Sequence, residues 1–218
     1  RRAKMRAMSA CGRFGESCRW IRTEGNPDGR FTSNRRLSRV MIFTATPITG
    51  AFLVDLEPRV DTRGTFARAY CKKEFAAAGI EMDIVQSNLA RTLRAGVVRG
   101  LHYQRPPGQE RKLVRCIAGA MFDALVDMRA ESPTYRQSWW VRLDPVARQA
   151  LFVPGGVAHG YQALADDTET LYMTDQFYMP GLETGVRFDD PALAIPWPLA
   201  ARDVTSRDLN WPLLTADG

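Results

Sequence analysis

The chain of 218 residues has two histidines, and each lies in a segment dense in groups able to do chemistry. His102 stands in Arg99-Gly-Leu-His-Tyr-Gln104 and is followed by Lys112-Leu-Val-Arg115, whereas His159 lies in Pro154-Gly-Gly-Val-Ala-His-Gly-Tyr161. A neutral imidazole is a base or a metal ligand and a protonated one donates to anions, so placing the pair goes far towards placing a site. Both segments follow strand starts marked by Gly or Pro, where the mouth of a barrel would lie. The competing account is two buried histidines that only satisfy hydrogen bonds.

Strands must do the positioning. From Met41 onward, short apolar or alternating runs recur with Gly, Pro and Asp between them, the pattern of many short strands. They include Ala51 to Leu56, Thr65 to Tyr70, Gly96 to His102, Met121 to Asp127 and Trp139 to Leu143. Helix signal is sparse: two turns over Lys72 to Ala78, ended by Gly79, and another turn over Val204 to Leu209. With strands dominant and no long helices alternating with them, the pattern disfavours a doubly wound sheet. The expected fold is mainly β, an antiparallel barrel or jelly roll with a few short helices.

A formal charge of +6 first suggests a nucleic acid or a membrane surface as partner. Its distribution removes that reading. Residues 1–40 hold eleven basic and three acidic residues, a net +8, which leaves −2 for residues 41–218. The first forty residues are rich in Arg, Ser and Gly without apolar periodicity and are expected to be a disordered basic extension, with one domain over residues 41–218. Glu16, Glu24 and Asp28 argue against an organelle transit peptide, and no secretory or membrane-spanning apolar run occurs. Cys11, Cys18, Cys71 and Cys116 lack the paired spacing of a metal site, so reduced thiols in a cytoplasm are expected.

Pro154-x-Gly156-x-x-His159, together with His102, Glu110 and Gly119, resembles the two-motif pattern of the cupin superfamily, a small jelly-roll barrel. Metal-binding cupins carry His-x-His in the first motif, and here it reads His102-Tyr-Gln104. One ligand is missing. His102, His159 and Glu110 could still form a facial triad for iron, so a metal-dependent cupin oxygenase or isomerase stays open at this point, separable by metal analysis.

A finer pattern adds to this. Asp61-Thr-Arg-Gly-Thr-Phe66, Gln86-Ser-Asn88, Gly96 to Gln104, Lys112 to Arg115, Ser132-Pro-Thr134, Pro154 to Tyr161, Leu171-Tyr172 and Phe188-Asp-Asp-Pro191 occur in that order. Together they resemble the dTDP-4-dehydrorhamnose 3,5-epimerases over roughly residues 41–214. The resemblance implies a cupin-type jelly roll without metal or cofactor, a homodimer, and a nucleotide-linked 4-keto-6-deoxyhexose as substrate. Hydrogens on C3 and C5 of that sugar are acidic because each is α to the C4 ketone. Epimerisation needs a base, a group that stabilises the enolate oxygen, and an acid on the opposite face.

By the same resemblance His102 is the base, Asp208 in Ser206-Arg-Asp-Leu-Asn-Trp211 orients it, Lys112 stabilises the enolate and Tyr172 is the acid. Arg63 and Arg99 would hold phosphates or sugar, Gln86 and Asn88 the nucleotide, His159 phosphate or sugar, and Tyr178 and Glu183 the surroundings of the base. Asp123 would brace His159. The chain departs from the family pattern at Arg68, Ala90 and Met173, where acidic, serine and lysine residues are usual. A non-catalytic sugar-nucleotide binding module is the remaining alternative, for which the base, lysine and tyrosine would be surplus.

Overall fold

The computed structural model describes residues 41–214; the extension expected over residues 1–40 lies outside them. In chain order the elements are β1 (Met41–Ala45), β2 (Phe52–Leu56), β3 (Arg59–Asp61), β4 (Gly64–Phe66), α1 (Lys72–Ala77), β5 (Gln86–Thr92), β6 (Val98–Gln104), β7 (Lys112–Ala118), β8 (Met121–Asp127), β9 (Ser138–Leu143), β10 (Gln149–Val153), β11 (Val157–Ala163), β12 (Thr168–Thr174), β13 (Glu183–Gly185) and α2 (Ser206–Leu209). Hydrogen bonding sorts them into a six-stranded sheet, β1-β2-β10-β7-β12-β5, a five-stranded sheet, β13-β6-β11-β8-β9, and the separate hairpin β3-β4. From β5 to β13 every connection except β8 to β9 passes from one sheet to the other. That weave is the jelly roll of a cupin-like fold.

The core lies between the sheets, where Val114, Cys116, Leu151 and Val153 of the larger sheet meet Met121, Leu125, Leu143 and Tyr161 of the smaller one. Burying each Leu, Met or Val there contributes about 1.5–3 kcal/mol. The outer faces are covered as well. Phe75 of α1, with Ile80 and Met82, seals the outside of β1, β2 and β10, and Phe188, Leu193 and Ile195 seal the outside of β6, β8 and β11. Strand β8 is buried on both faces, which is why its sequence reads as an apolar run broken only by Asp123 and Asp127.

Asp127 explains the Ser132-Pro-Thr134 segment. Its carboxylate accepts hydrogen bonds from the Arg129 guanidinium at 2.7 and 2.8 Å, Ser132 Oγ at 2.6 Å and Thr134 Oγ1 at 2.7 Å. Burial alone would raise its pKa, but these donors outweigh burial and hold it at about 2 against an ordinary 3.8. A depressed carboxyl gives stability that is present above the unfolded value and is lost as pH falls through the folded one. Asp127→Asn is therefore expected to be less stable than the parent above about pH 4, with the gap closing towards about pH 2. Urea unfolding at stepped pH checks this; a gap independent of pH would show that the network works through packing alone.

One predicted strand is shorter than expected. The run Thr65 to Tyr70 is extended only to Phe66, because the hairpin β3-β4 has no further partner strand and Tyr70 turns inward to pack on Phe75 at 4.9 Å. Among the described residues no helix is long and apolar enough to cross a membrane.

Candidate active site

A cavity of about 450 Å³ opens between the two sheets. Alternation along the strands turns Gln86, Asn88 and Ala90 of β5, Lys112 of β7, and Thr170, Tyr172 and Thr174 of β12 into it from the larger sheet. The smaller sheet supplies Arg99 and His102 from β6 and His159 and Tyr161 from β11.

Arg99 and His102 are three residues apart, so simple alternation would send them to opposite faces. Gly100 breaks the alternation: its φ is +116°, a conformation disfavoured for residues with a side chain. A Cβ at Gly100 would also lie 2.5 Å from Gly160 Cα, and one at Gly160 would lie 2.7 Å from the Arg99 carbonyl oxygen. The two glycines thus let β6 and β11 close on each other, with a register shift between His159 and Tyr161, and His102 and His159 stand directly opposite as cross-strand partners.

Asp208 comes from α2, a single turn whose N-cap Thr205 Oγ1 accepts from the Asp208 N–H at 3.2 Å. Its side chain is 3% exposed, and its Oδ1 lies 2.6 Å from His102 Nε2. Burial acts to raise the Asp208 pKa, but the hydrogen bond and charge of His102, with help from Thr205 and the Gly100 N–H, bring it below the ordinary carboxylate value. Asp208 is therefore an anion, and His102 Nε2–H donates to it. That fixes the tautomer and leaves Nδ1, 3.8 Å from Glu183 Oε1, as the basic nitrogen. Trp211 stands edge-on to the imidazole with ring centres 6.3 Å apart.

Across the cavity, Lys112 Nζ pairs with Glu110 Oε1 at 2.9 Å, with both side chains mostly buried. Tyr172, on the neighbouring strand β12, has its pKa raised, chiefly by burial and then by the charge of Glu110. It is a protonated donor at neutral pH. His159 Nε2 lies 2.7 Å from Asp123 Oδ1, without a hydrogen bond of good angle between them. Arg99 donates from Nε to Thr92 Oγ1 at 3.1 Å, and Thr92 Oγ1 lies 2.9 Å from the Tyr161 hydroxyl.

Gln86, Asn88, Tyr178 and Glu183 all line the cavity. Gln86 spends its Oε1 on the Tyr178 N–H at 2.8 Å, and Glu183 sits beside His102, bonded to Arg207 at 2.5 Å and to the Tyr178 hydroxyl at 3.3 Å. Arg63 does not reach the cavity. It lies on the β3-β4 hairpin with its side chain 88% exposed, bonded to Asp61 at 2.6 Å. Of the departures from the family pattern, Ala90 faces the cavity, Met173 packs outward near Phe75, and Arg68 pairs with Glu74 at 2.9 Å.

Two charged cavity residues take roles that a reading of the sequence did not assign to them. Arg207 is adjacent to Asp208 in the segment already singled out, and its proximity was the available signal. Glu110 stands out from sequence only as a third metal ligand beside the two histidines, whereas its carboxylate is committed to Lys112. Among the described residues no group of three His, Cys, Asp or Glu side chains is placed to hold a metal ion.

The fold and the groups around its cavity define a cupin-like enzyme equipped for acid–base work on a small polar substrate. The chain belongs to the dTDP-4-dehydrorhamnose 3,5-epimerase family, whose model matches residues 45–216. It is 39% identical over 172 residues to the dTDP-4-dehydrorhamnose 3,5-epimerase of Methanothermobacter thermautotrophicus, covering 78% of this chain and 92% of that one. With the dTDP-4-dehydrorhamnose 3-epimerase of Streptomyces niveus it shares 41% identity over 169 residues, 77% of this chain and 81% of that one. The dTDP-6-deoxy-D-glucose-3,5-epimerase of Legionella pneumophila, solved in complex with dTDP-4-keto-L-rhamnose, superposes with a TM-score of 0.74 at 33% identity, covering 79% of this chain and 92% of that one.

Proposed function

We propose that the chain epimerises dTDP-4-keto-6-deoxy-D-glucose at C3 and C5, or at C3 only, in the making of dTDP-L-rhamnose or a related deoxysugar. One observation carries the mechanism: His102 and Tyr172 project into one cavity from opposite sheets. A flat enolate held between the sheets would meet a base on one face and an acid on the other. His102 Nδ1 takes the proton α to the ketone, the electron pair moves onto O4, and the Lys112 ammonium stabilises the negative oxygen. Tyr172 returns a proton to the opposite face, which inverts the carbon. Glu110 keeps the ammonium aimed into the cavity. Arg99, Arg207 and His159 supply cationic or hydrogen-bonding groups for a diphosphate, for which guanidinium forks are well matched.

We further propose a cytoplasmic homodimer. Leu89 on the edge strand β5 and Leu93 are each 64% exposed, and Phe66 on the β3-β4 hairpin is 67% exposed, apolar surface that a second copy would cover. Arg63 would then have a route to substrate that it lacks within its own chain.

The reaction is tested by incubating the protein with dTDP-4-keto-6-deoxyglucose in deuterated water, with and without exhaustive chelation, and counting deuterons by NMR. Deuterium at C3 and C5 with inversion at both marks the double epimerase, and deuterium at C3 alone marks the single one. Turnover lost on chelation and restored by iron or zinc would move the assignment to metal-dependent chemistry, and absence of exchange would leave a binding module.

A further inference from the structure

We propose that Gln104 is a positioning residue: it holds residues 176–179 at the cavity mouth and thereby sets the grip on the nucleotide part of the substrate. The second half of this statement rests on the nucleotide-sugar reading of the cavity.

Gln104 ends β6 and is 2% exposed. A buried primary amide carries donors and an acceptor that need partners, and the two groups it bonds are backbone groups of one segment. Its Oε1 accepts from the Met179 N–H at 2.7 Å, and its Nε2 donates to the Phe177 carbonyl at 3.2 Å. The residue between them, Tyr178, donates its own N–H to Gln86 Oε1 at 2.8 Å. Gln104 belongs to the five-stranded sheet and Gln86 to the six-stranded one. Two glutamines from opposite walls therefore stitch the segment across the mouth of the cavity.

Side-chain burial does little to hold the segment there. Phe177 is 60% exposed, Tyr178 55% and Met179 37%, and the segment has no regular secondary structure. Its remaining anchors are Thr174 Oγ1 on the Gln176 carbonyl at 3.0 Å, the Leu182 N–H on the Met179 carbonyl at 3.1 Å and the Tyr178 hydroxyl on Glu183 Oε2 at 3.3 Å. Glu183 is the cross-strand partner of Gln104, so the same stretch of β6 and β13 fixes both the backbone and the ring tip of Tyr178. A largely exposed aromatic ring held in this way offers a face on which a planar base can stack, and pre-ordering it lowers the entropy cost of binding.

The arrangement demands an amide. Glutamate has the same size, but its carboxylate cannot donate to the Phe177 carbonyl; leucine fills the space and makes neither bond. In metal-binding cupins this position, two residues after the first histidine, holds a ligand. Here the side chain faces the mouth segment instead.

The test uses the full chain with thymidine diphosphate as probe. In Gln104→Glu and Gln104→Leu, thymidine diphosphate binding by calorimetry is expected to weaken about tenfold or more, the scale of two modest hydrogen bonds, while kcat at saturating substrate changes less than about threefold. In a Tyr178→Ala background the same Gln104 substitutions should add less than about twofold, since the group they position is gone. Unchanged affinity, or losses that multiply in the double variant, would overturn the proposal. Hydrogen exchange provides a second arm that needs neither ligand nor stable variant: the Tyr178 and Met179 amides should be protected in the unmodified protein despite their exposed side chains. Free exchange at both amides would sink the clamp itself. Failure of the unmodified protein to bind thymidine diphosphate, with those amides protected, would instead remove the nucleotide reading and with it the effect on grip.

Discussion

His102→Ala is expected to abolish deuterium exchange at C3 and C5, lowering the rate by about two to four orders of magnitude, while thymidine diphosphate still binds. The geometry gives the reason. Asp208 is a buried anion, so it must accept from His102 Nε2, and Nδ1 is the nitrogen with a free electron pair inside the cavity. Alanine removes that pair and also strips Asp208 of its shortest hydrogen bond, so some loss of stability should accompany the loss of rate. His102→Asn, which can still donate to Asp208, separates the two effects: stability should recover and activity should not. Asp208→Asn should cost less than His102→Ala, because it disturbs tautomer and orientation without removing the base. The double variant should be no slower than His102→Ala alone if the pair works as a unit. Wild-type exchange by His102→Ala would end the assignment of the base.

Much of this site could be read before any coordinates, and the reasons differ by residue. β8 was legible because a strand buried on both faces is a continuous apolar run, whereas β5 and β12 were not read as strands, because their inward positions include the polar cavity residues Gln86, Asn88, Thr170 and Thr174 and Leu89 of β5 faces outward. Lys112 stood out as a charge at the head of an apolar strand. Asp208, by contrast, lies 106 residues from His102, and no periodicity connects them; only the resemblance pointed to it. The shared orientation of Arg99 and His102 depends on a positive φ at Gly100, which a glycine permits but does not announce. The Glu110–Lys112 pair and the Gln104 clamp were hidden for a related reason. Both depend on which of several plausible partners a polar side chain chooses, and that is settled by tertiary packing. Arg63 was singled out by its motif, and its distance from the cavity follows from a hairpin that pairs with neither large sheet.

Tyr172→Phe should divide the reaction into its halves. Proton removal depends on His102 on one sheet, and reprotonation of the opposite face depends on a phenol on the other. In this variant deuterium should still wash into substrate that keeps its original configuration, because the base can return a solvent-derived deuteron to the face it came from. Inverted product should fall by about a hundredfold or more, the lower range for loss of a general acid. Phenylalanine is almost the same size, and the ring packs at the edge of the core between the sheets, so stability should change little. The pH dependence supplies an independent check. Burial, reinforced by the charge of Glu110, raises the Tyr172 pKa, so the acid stays protonated through neutral pH and is lost only as pH rises through that raised value. The unmodified protein should therefore lose inversion on the alkaline side before it loses exchange, and Tyr172→Phe should lack that separate limb. Unchanged inversion in Tyr172→Phe would mean that the proton comes from water or another donor, and Tyr178, already at the cavity mouth, would be the next phenol to replace.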